Sequence, residues 1–150
     1  MFKHILIPTD GSEVAAIAVQ SGIEFAKFSG AKITVLHVSP TYRKMTDEGF
    51  LVAGGGVNVG HSGWEAAVAE HAIVILGAVT GAAQKAGVAC ESIHLFDNAP
   101  YHAIIATAEK SGCDVIVMGS HGYGGFKQLM VGSQTTRVLS HTKIPVLVIR

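Results

Sequence analysis

The stretch DVIVMGSHGYGGFKQLMVGSQTTRVLSHTKIPVLVIR, Asp114 to Arg150, decides the fold. It opens on an apolar run, DVIVMG, and passes a cluster of five glycines: Gly119, Gly122, Gly124, Gly125 and Gly132. A polar–apolar segment of helical spacing follows, Ser133 to His141, and PVLVIR closes it (Pro145 to Arg150). Continuous apolar runs such as VIVM and VLVI are expected where a strand is buried on both faces, as in a parallel sheet. Strand, crossover helix, strand is therefore the reading of this stretch, and right-handed crossovers constrain how it closes.

The same alternation extends through the rest of the chain. FKHILIP (Phe2 to Pro8) is a short apolar run stopped by Pro, and reads as the first strand. Ser12 to Phe28 carries Ala15, Ala18, Val19, Gly22, Ile23 and Ala26, a small-residue stripe at helical spacing, with Gly30 behind it as a stop. AKITVLHV (Ala31 to Val38) is the second strand. Thr41 to Gly63 is irregular and Gly-rich, and reads as a loop insertion that Phe50 and Trp64 pin to the body. A helix follows from about Trp64 to Lys85, then a strand, VACESIHLF (Val88 to Phe96). Asp97-Asn98-Ala99-Pro100 signals the start of a helix over Tyr101 to Ser111. Five strands and four helices in alternation predict one α/β domain over residues 1–150. The expected form is a three-layer sandwich on an open, mainly parallel, Rossmann-like sheet with strand order 3-2-1-4-5.

Composition narrows the function classes. The chain has 150 residues, 49% hydrophobic and 15% charged, enough apolar content for a core and too much for disorder. Its net charge of zero gives no footprint for nucleic acid or an anionic membrane. No apolar run approaches the roughly 20 residues of a membrane span, and MFKHILIPTDGS lacks the long apolar core of a signal peptide. A cytoplasmic protein is expected. Cys90 and Cys113 border apolar runs and read as buried thiols. The eight histidines show no metal-binding spacing, and His37, inside a strand, reads as a packed or hydrogen-bonded core residue.

In a doubly wound sheet, ligands bind at the carboxyl ends of the strands, near the switch in strand order. Those ends here are Pro8-Thr9-Asp10, Val38-Ser39, Asp97-Asn98 and Met118-Gly119. Three phosphate loops can be tested against the glycines. A Rossmann fingerprint starting at Gly122 fails, because Lys127 stands at its last glycine. A Walker A loop over Gly55 to Ser62 fails, because His61 replaces the lysine. The third pattern is Gly119-x2-Gly122, nine residues, then Gly132-Ser133. It places bare backbone at a strand end and at a helix start, where N–H groups attract anions. Ser133 and Thr135 add hydroxyls that could cap the helix or donate to a phosphate.

MGSHG…VGSQTTRVLSHTKIPVLVIR, with ILIPTDGS at the start, resembles the universal stress protein family, and the spacing G-x2-G-x9-G-S/T is similar to that of its ATP-binding members. The resemblance spans nearly the whole chain except Thr41 to Gly63. It implies that Asp10 meets the ribose and that Pro8 and Thr9 contact the base. Val38 would pack on adenine, and Met118 and Gly119 would border the nucleoside. Gly122, Gly132, Ser133 and Thr135 would hold the phosphates. Many members carry an aliphatic residue where this chain has Gln134, whose backbone N–H can still serve. The family resemblance further implies ATP as ligand, with Mg²⁺ or Mn²⁺ held mainly by phosphates and water, and a homodimer formed through Pro145 to Arg150.

No nucleophile, base and orienting acid stand out as a set, so binding rather than turnover is expected. Slow ATP hydrolysis, or a structural dimer without a working site, are the alternatives. A phospho-acceptor receiver built on Asp97 is rejected. After the first strand its acidic cluster is reduced to Asp10, and no lysine follows the last strand.

Overall fold

Ile5, Leu6 and Ile7 are wholly buried, and their alternation sets the layers. In a strand successive side chains leave opposite faces, so one short apolar run feeds two cores. Ile5 and Ile7 enter one core, with Ile33, Val35, Val115 and Val117. Leu6 enters the other, with Leu36, Ile116 and Met118. The strand that carries them must lie mid-sheet with helices on both sides.

The computed structural model describes residues 1–42, 60–120 and 132–150. Its strands are β1 (His4–Pro8), β2 (Lys32–Ser39), β3 (Cys90–Phe96), β4 (Val115–Gly119) and β5 (Val146–Ile149). Its helices are α1 (Glu13–Ser29), α2 (His61–Lys85), α3 (Pro100–Ser111) and α4 (Ser133–His141). The five strands form one sheet in the order β3-β2-β1-β4-β5, with every pairing parallel. β1 pairs Ile5 with Ile33 on one side and with Val115 on the other. α1 and α2 supply Val19, Ile23, Leu76 and Val79 to the first core. α3 and α4 supply Ile104, Ala108 and Val138 to the second. The expected α/β architecture and strand order are those observed.

α1 follows its sequence closely. Ser12 caps it, its Oγ accepting from the Ala15 N–H at 3.2 Å, and Gly30 ends it at φ 71° in the left-handed region. Its buried residues are the six of the predicted stripe. Gly22 sits at closest approach: a Cβ there would lie 2.5 Å from Ile7 Cδ1. α1 can lie this low on the sheet only because that position has no side chain.

Several sequence expectations shift. α2 begins at His61, three residues earlier than read, with His61 Nε2 3.3 Å from Glu65 Oε1 on the next turn. Trp64 is buried against Tyr42 and Phe96, whereas Phe50 lies outside the described residues. Val88 precedes β3 instead of joining it, its N–H bonded to Ala83 O as the chain leaves α2. β5 is not buried on both faces: it is an edge strand, and Leu147 is 40% exposed. α2 is also long and apolar enough, by length and composition, to cross a membrane, which the sequence reading did not find. The run Ile73 to Leu76, with Val68, Val79 and the alanines around it, carries its apolar character, and it lays Trp64, Ala72, Leu76, Val79 and Ala83 on the sheet at helical spacing.

Candidate functional site

The strand order switches between β1 and β4, with all strands still parallel: β2 and β3 lie to one side, β4 and β5 to the other. At the carboxyl ends of these strands the following loops part and leave a crevice. A cavity of about 410 Å³ opens there, within the usual range for small-molecule sites. Its floor is Leu36, Val38, Ile104 and Met118, and its rim is Pro8, Thr9, Asp10, Ala15, Pro100, Gly119, Ser133, Gln134 and Thr135.

The loop after β1 is held from several directions. Thr9 N–H bonds to Leu36 O at 2.9 Å, and Thr9 Oγ1 accepts from the Gly11 N–H at 3.2 Å. His37, buried on β2, lies 2.8 Å from Thr9 O through Nδ1; a carbonyl only accepts, so Nδ1 carries the proton. Asp10 Oδ1 accepts from the Ser12 N–H at 2.9 Å, while Ser12 itself caps α1. Asp10 therefore braces the turn with one carboxylate oxygen, and Oδ2 has no partner among the described residues.

On the opposite wall, β4 ends at Gly119, where a Cβ would lie 3.2 Å from the carbonyl oxygen of Val14. The missing side chain lets the strand end press against the first turn of α1. Gly119 O accepts from Thr135 Oγ1 at 2.9 Å, and Gly132 N–H bonds to Ser120 O, so α4 is fastened to the end of β4. The cap of α4 is Gly132, not Ser133, and no side chain caps it. The first intrahelical bond runs from Thr136 N–H to Gly132 O at 2.9 Å. The N–H groups of Ser133, Gln134 and Thr135 thus stand at the cavity without acceptors among the described residues.

Electrostatically the cavity is lopsided. Asp10 is its single charged lining side chain among the described residues, and no lysine or arginine lines it. Arg137 is instead stacked over Tyr101, its guanidinium carbon 5.6 Å from the ring centre. Among the described residues, what the cavity offers an anion is backbone N–H groups and hydroxyls.

Nine residues expected from the sequence line the cavity: Pro8, Thr9, Asp10, Val38, Met118, Gly119, Ser133, Gln134 and Thr135. Gly132 stands beside them as the α4 cap. Gly122, like His121 and Lys127, lies outside the described residues. Sequence reasoning missed Ala15, Leu36, Pro100 and Ile104. Leu36 was within reach, two residues before Val38 on the same face of β2. Pro100 was read as a helix start but not as a wall. Asp97 serves α3, its Oδ1 accepting from the Ala99 N–H at 2.7 Å and Oδ2 3.6 Å from His102 Nδ1.

Comparison with known proteins gives a consistent result. The chain is 30% identical to universal stress protein YxiE of Bacillus subtilis over 154 residues, covering all of both chains. It is 30% identical to universal stress protein MJ0577 of Methanocaldococcus jannaschii over 156 residues, 100% of this chain and 96% of that one. The solved structure of MJ0577 superposes with a TM-score of 0.81 at 29% identity, over 99% of this chain and 96% of the other. A universal stress protein from Archaeoglobus fulgidus, solved in complex with dAMP, shares the fold at TM-score 0.68 and 19% identity, covering 100% and 98%. The model of the universal stress protein family matches residues 1–150, from the first strand through the glycine loop to the last, and the chain belongs to that family.

Proposed function

We propose that this chain binds ATP in the cavity between β1 and β4, and that it acts as a cytoplasmic stress-response regulator through nucleotide-dependent conformation and not through turnover. The observation that carries this reading is the uncapped start of α4 facing the cavity, opposite an apolar floor. Three N–H groups at a helix start, without acceptors among the described residues, favour an anion. Leu36, Val38, Ile104 and Met118 suit the face of a purine, and the free oxygen of Asp10 suits a ribose hydroxyl. A chain of the same fold solved with dAMP supports the capacity of such a crevice for an adenine nucleotide.

A divalent cation fits this site only through the ligand. One carboxylate lines the cavity, and no group of three metal-ligating side chains occurs among the described residues. Mg²⁺ or Mn²⁺ would be held by phosphate oxygens and water, neutralising charge that no lysine or arginine meets among the described residues. At the α4 end of the cavity the described side chains offer the hydroxyls of Ser133 and Thr135 with no base placed beside them, and we read the bound ATP as retained.

We further propose a homodimer through Pro145–Arg150, since β5 leaves one edge of the sheet open with Leu147 partly exposed. The test of the ATP reading is mass spectrometry of nucleotide carried through native purification, with titration of the emptied protein. ATP at near one per chain is expected, and Gly132→Val or Gly122→Val should abolish it while the circular dichroism spectrum is unchanged. Equal ATP affinity in wild type and both variants would overturn the phosphate-loop assignment. Steady ADP release would replace regulation by hydrolysis.

A further inference from the structure

Gln134 is the second residue of α4 and lines the cavity. Its Oε1 lies 3.1 Å from the backbone nitrogen of Tyr101, at the start of α3. That nitrogen is a donor, so the carboxamide oxygen must be the atom facing α3, and its NH₂ edge is directed away. No acceptor takes those Nε2 hydrogens among the described residues. The bond fixes which way round the amide sits without using its donors.

The same bond settles the start of α3. Ala99 N–H goes to Asp97 Oδ1 at 2.7 Å and His102 N–H to Ala99 O at 2.9 Å. Pro100 has no N–H, and Tyr101 N–H is taken by Gln134. Of the α3 and α4 starts at this cavity, that of α4 keeps backbone donors without acceptors among the described residues.

We infer that the side chain of Gln134 is a phosphate-reading group: it donates Nε2–H to a phosphate oxygen of the bound nucleotide, while its Oε1 closes the α3 start as a competing anion site. This rests on the nucleotide reading above and assigns to Gln134 the discrimination between phosphorylated and unphosphorylated adenosine. A neutral amide suits this place. It adds a donor to a wall that has no cationic side chain among the described residues, and it is compatible with the carboxylate of Asp10 in the same cavity.

Two substitutions separate the roles. Gln134→Glu keeps an acceptor for Tyr101 N–H but replaces the donors with negative charge. Gln134→Leu removes both. Isothermal titration with ATP and with adenosine, and hydrogen exchange at the Tyr101 amide, are read for each. In Gln134→Glu, Tyr101 should stay protected, ATP affinity should fall about tenfold or more, and adenosine affinity should stay within about twofold. In Gln134→Leu, Tyr101 exchange should accelerate, with ATP affinity down about three- to tenfold and adenosine again unchanged. ATP binding to Gln134→Glu within about twofold of wild type would overturn the inference. So would an equal fall for adenosine and ATP, which would mean that Gln134 only shapes the cavity. Wild-type protein that binds no adenine nucleotide, with Tyr101 protected until Gln134→Leu frees it, would bring down the nucleotide reading and the phosphate contact with it. That signature differs from a failure confined to Gln134.

Discussion

His4 and His94 are two imidazoles that folding withdraws from water. Burial pushes both below the ordinary histidine value of 6.5, with Lys32 adding repulsion at His4 and His37 at His94. Their surroundings are polar but short of full compensation. His4 Nε2 lies 2.7 Å from Thr34 Oγ1, which donates to Glu91 at 2.7 Å, and His94 Nε2 lies 2.9 Å from Ser39 Oγ. Because the folded pKa is lowered, the unfolded chain takes up these protons first as pH falls, and acid favours unfolding. Stability from this source should be complete above about pH 7 and should decline between roughly pH 6.5 and 5. Urea midpoints at pH 7.5, 6 and 5 check this, and His94→Gln should flatten the decline. A midpoint that rises on acidification would contradict the assignment. At this scale the sequence was readable where a residue type has few uses: Asp10 and Gly119 at strand ends, His37 as a satisfied core histidine. It was silent where only tertiary contact gives a role. Nothing local marks Gln134 as the partner of Tyr101, 33 residues away, or Ile104 as cavity floor beside residues of β2 and β4.

Among elements, α1 makes the sharpest case for agreement between pattern and packing. Its buried stripe is small because the helix lies close, and it lies close because Gly22 meets Ile7 without a side chain. Gly22→Ala brings a gain and a loss. Helix propensity improves by up to about 1 kcal/mol, while overpacking against a wholly buried Ile7 costs about 1–3 kcal/mol. A net loss of about 1–2 kcal/mol is expected in urea unfolding; a stabilised variant would show that Ile7 finds another rotamer at no cost. α1 was legible because its cap, stripe and stop are all local signals. The start of α2 was not, since Gly60 offers no side-chain cap and the helix is secured there by Tyr42 resting on His61 and Trp64. β5 stands at the sheet edge, as the expected strand order has it, but VLVI misled as to burial: it reads as covered on both faces, whereas Leu147 is exposed.

For the molecule as a whole, the alternation of strands and helices carried the architecture, since parallel sheets permit few topologies. What alternation does not specify is which edge is left for another chain. Pro145 O and Ile149 O face β4, so the N–H groups of Val146 and Val148 point to the open edge of the sheet. If that edge pairs two copies, light scattering at micromolar concentration should give about twice the mass of the 15.6 kDa chain. Val148→Pro removes one outward N–H at a position where proline is tolerated, and should give a folded monomer. A wild-type monomer would rule the dimer out. The sheet order has a further consequence, one of timing. β1 is the first strand to be made, yet its partner β4 begins more than a hundred residues later, with Ile5 set against Val115. Synthesis at about 5–20 residues per second keeps that flank of β1 waiting for several seconds or more, an aggregation-prone interval for a strand that carries Ile5, Leu6 and Ile7. The cavity needs both β1 and α4, which lie more than a hundred residues apart, so a ligand that binds it reports on chains in which this whole stretch has been made and folded.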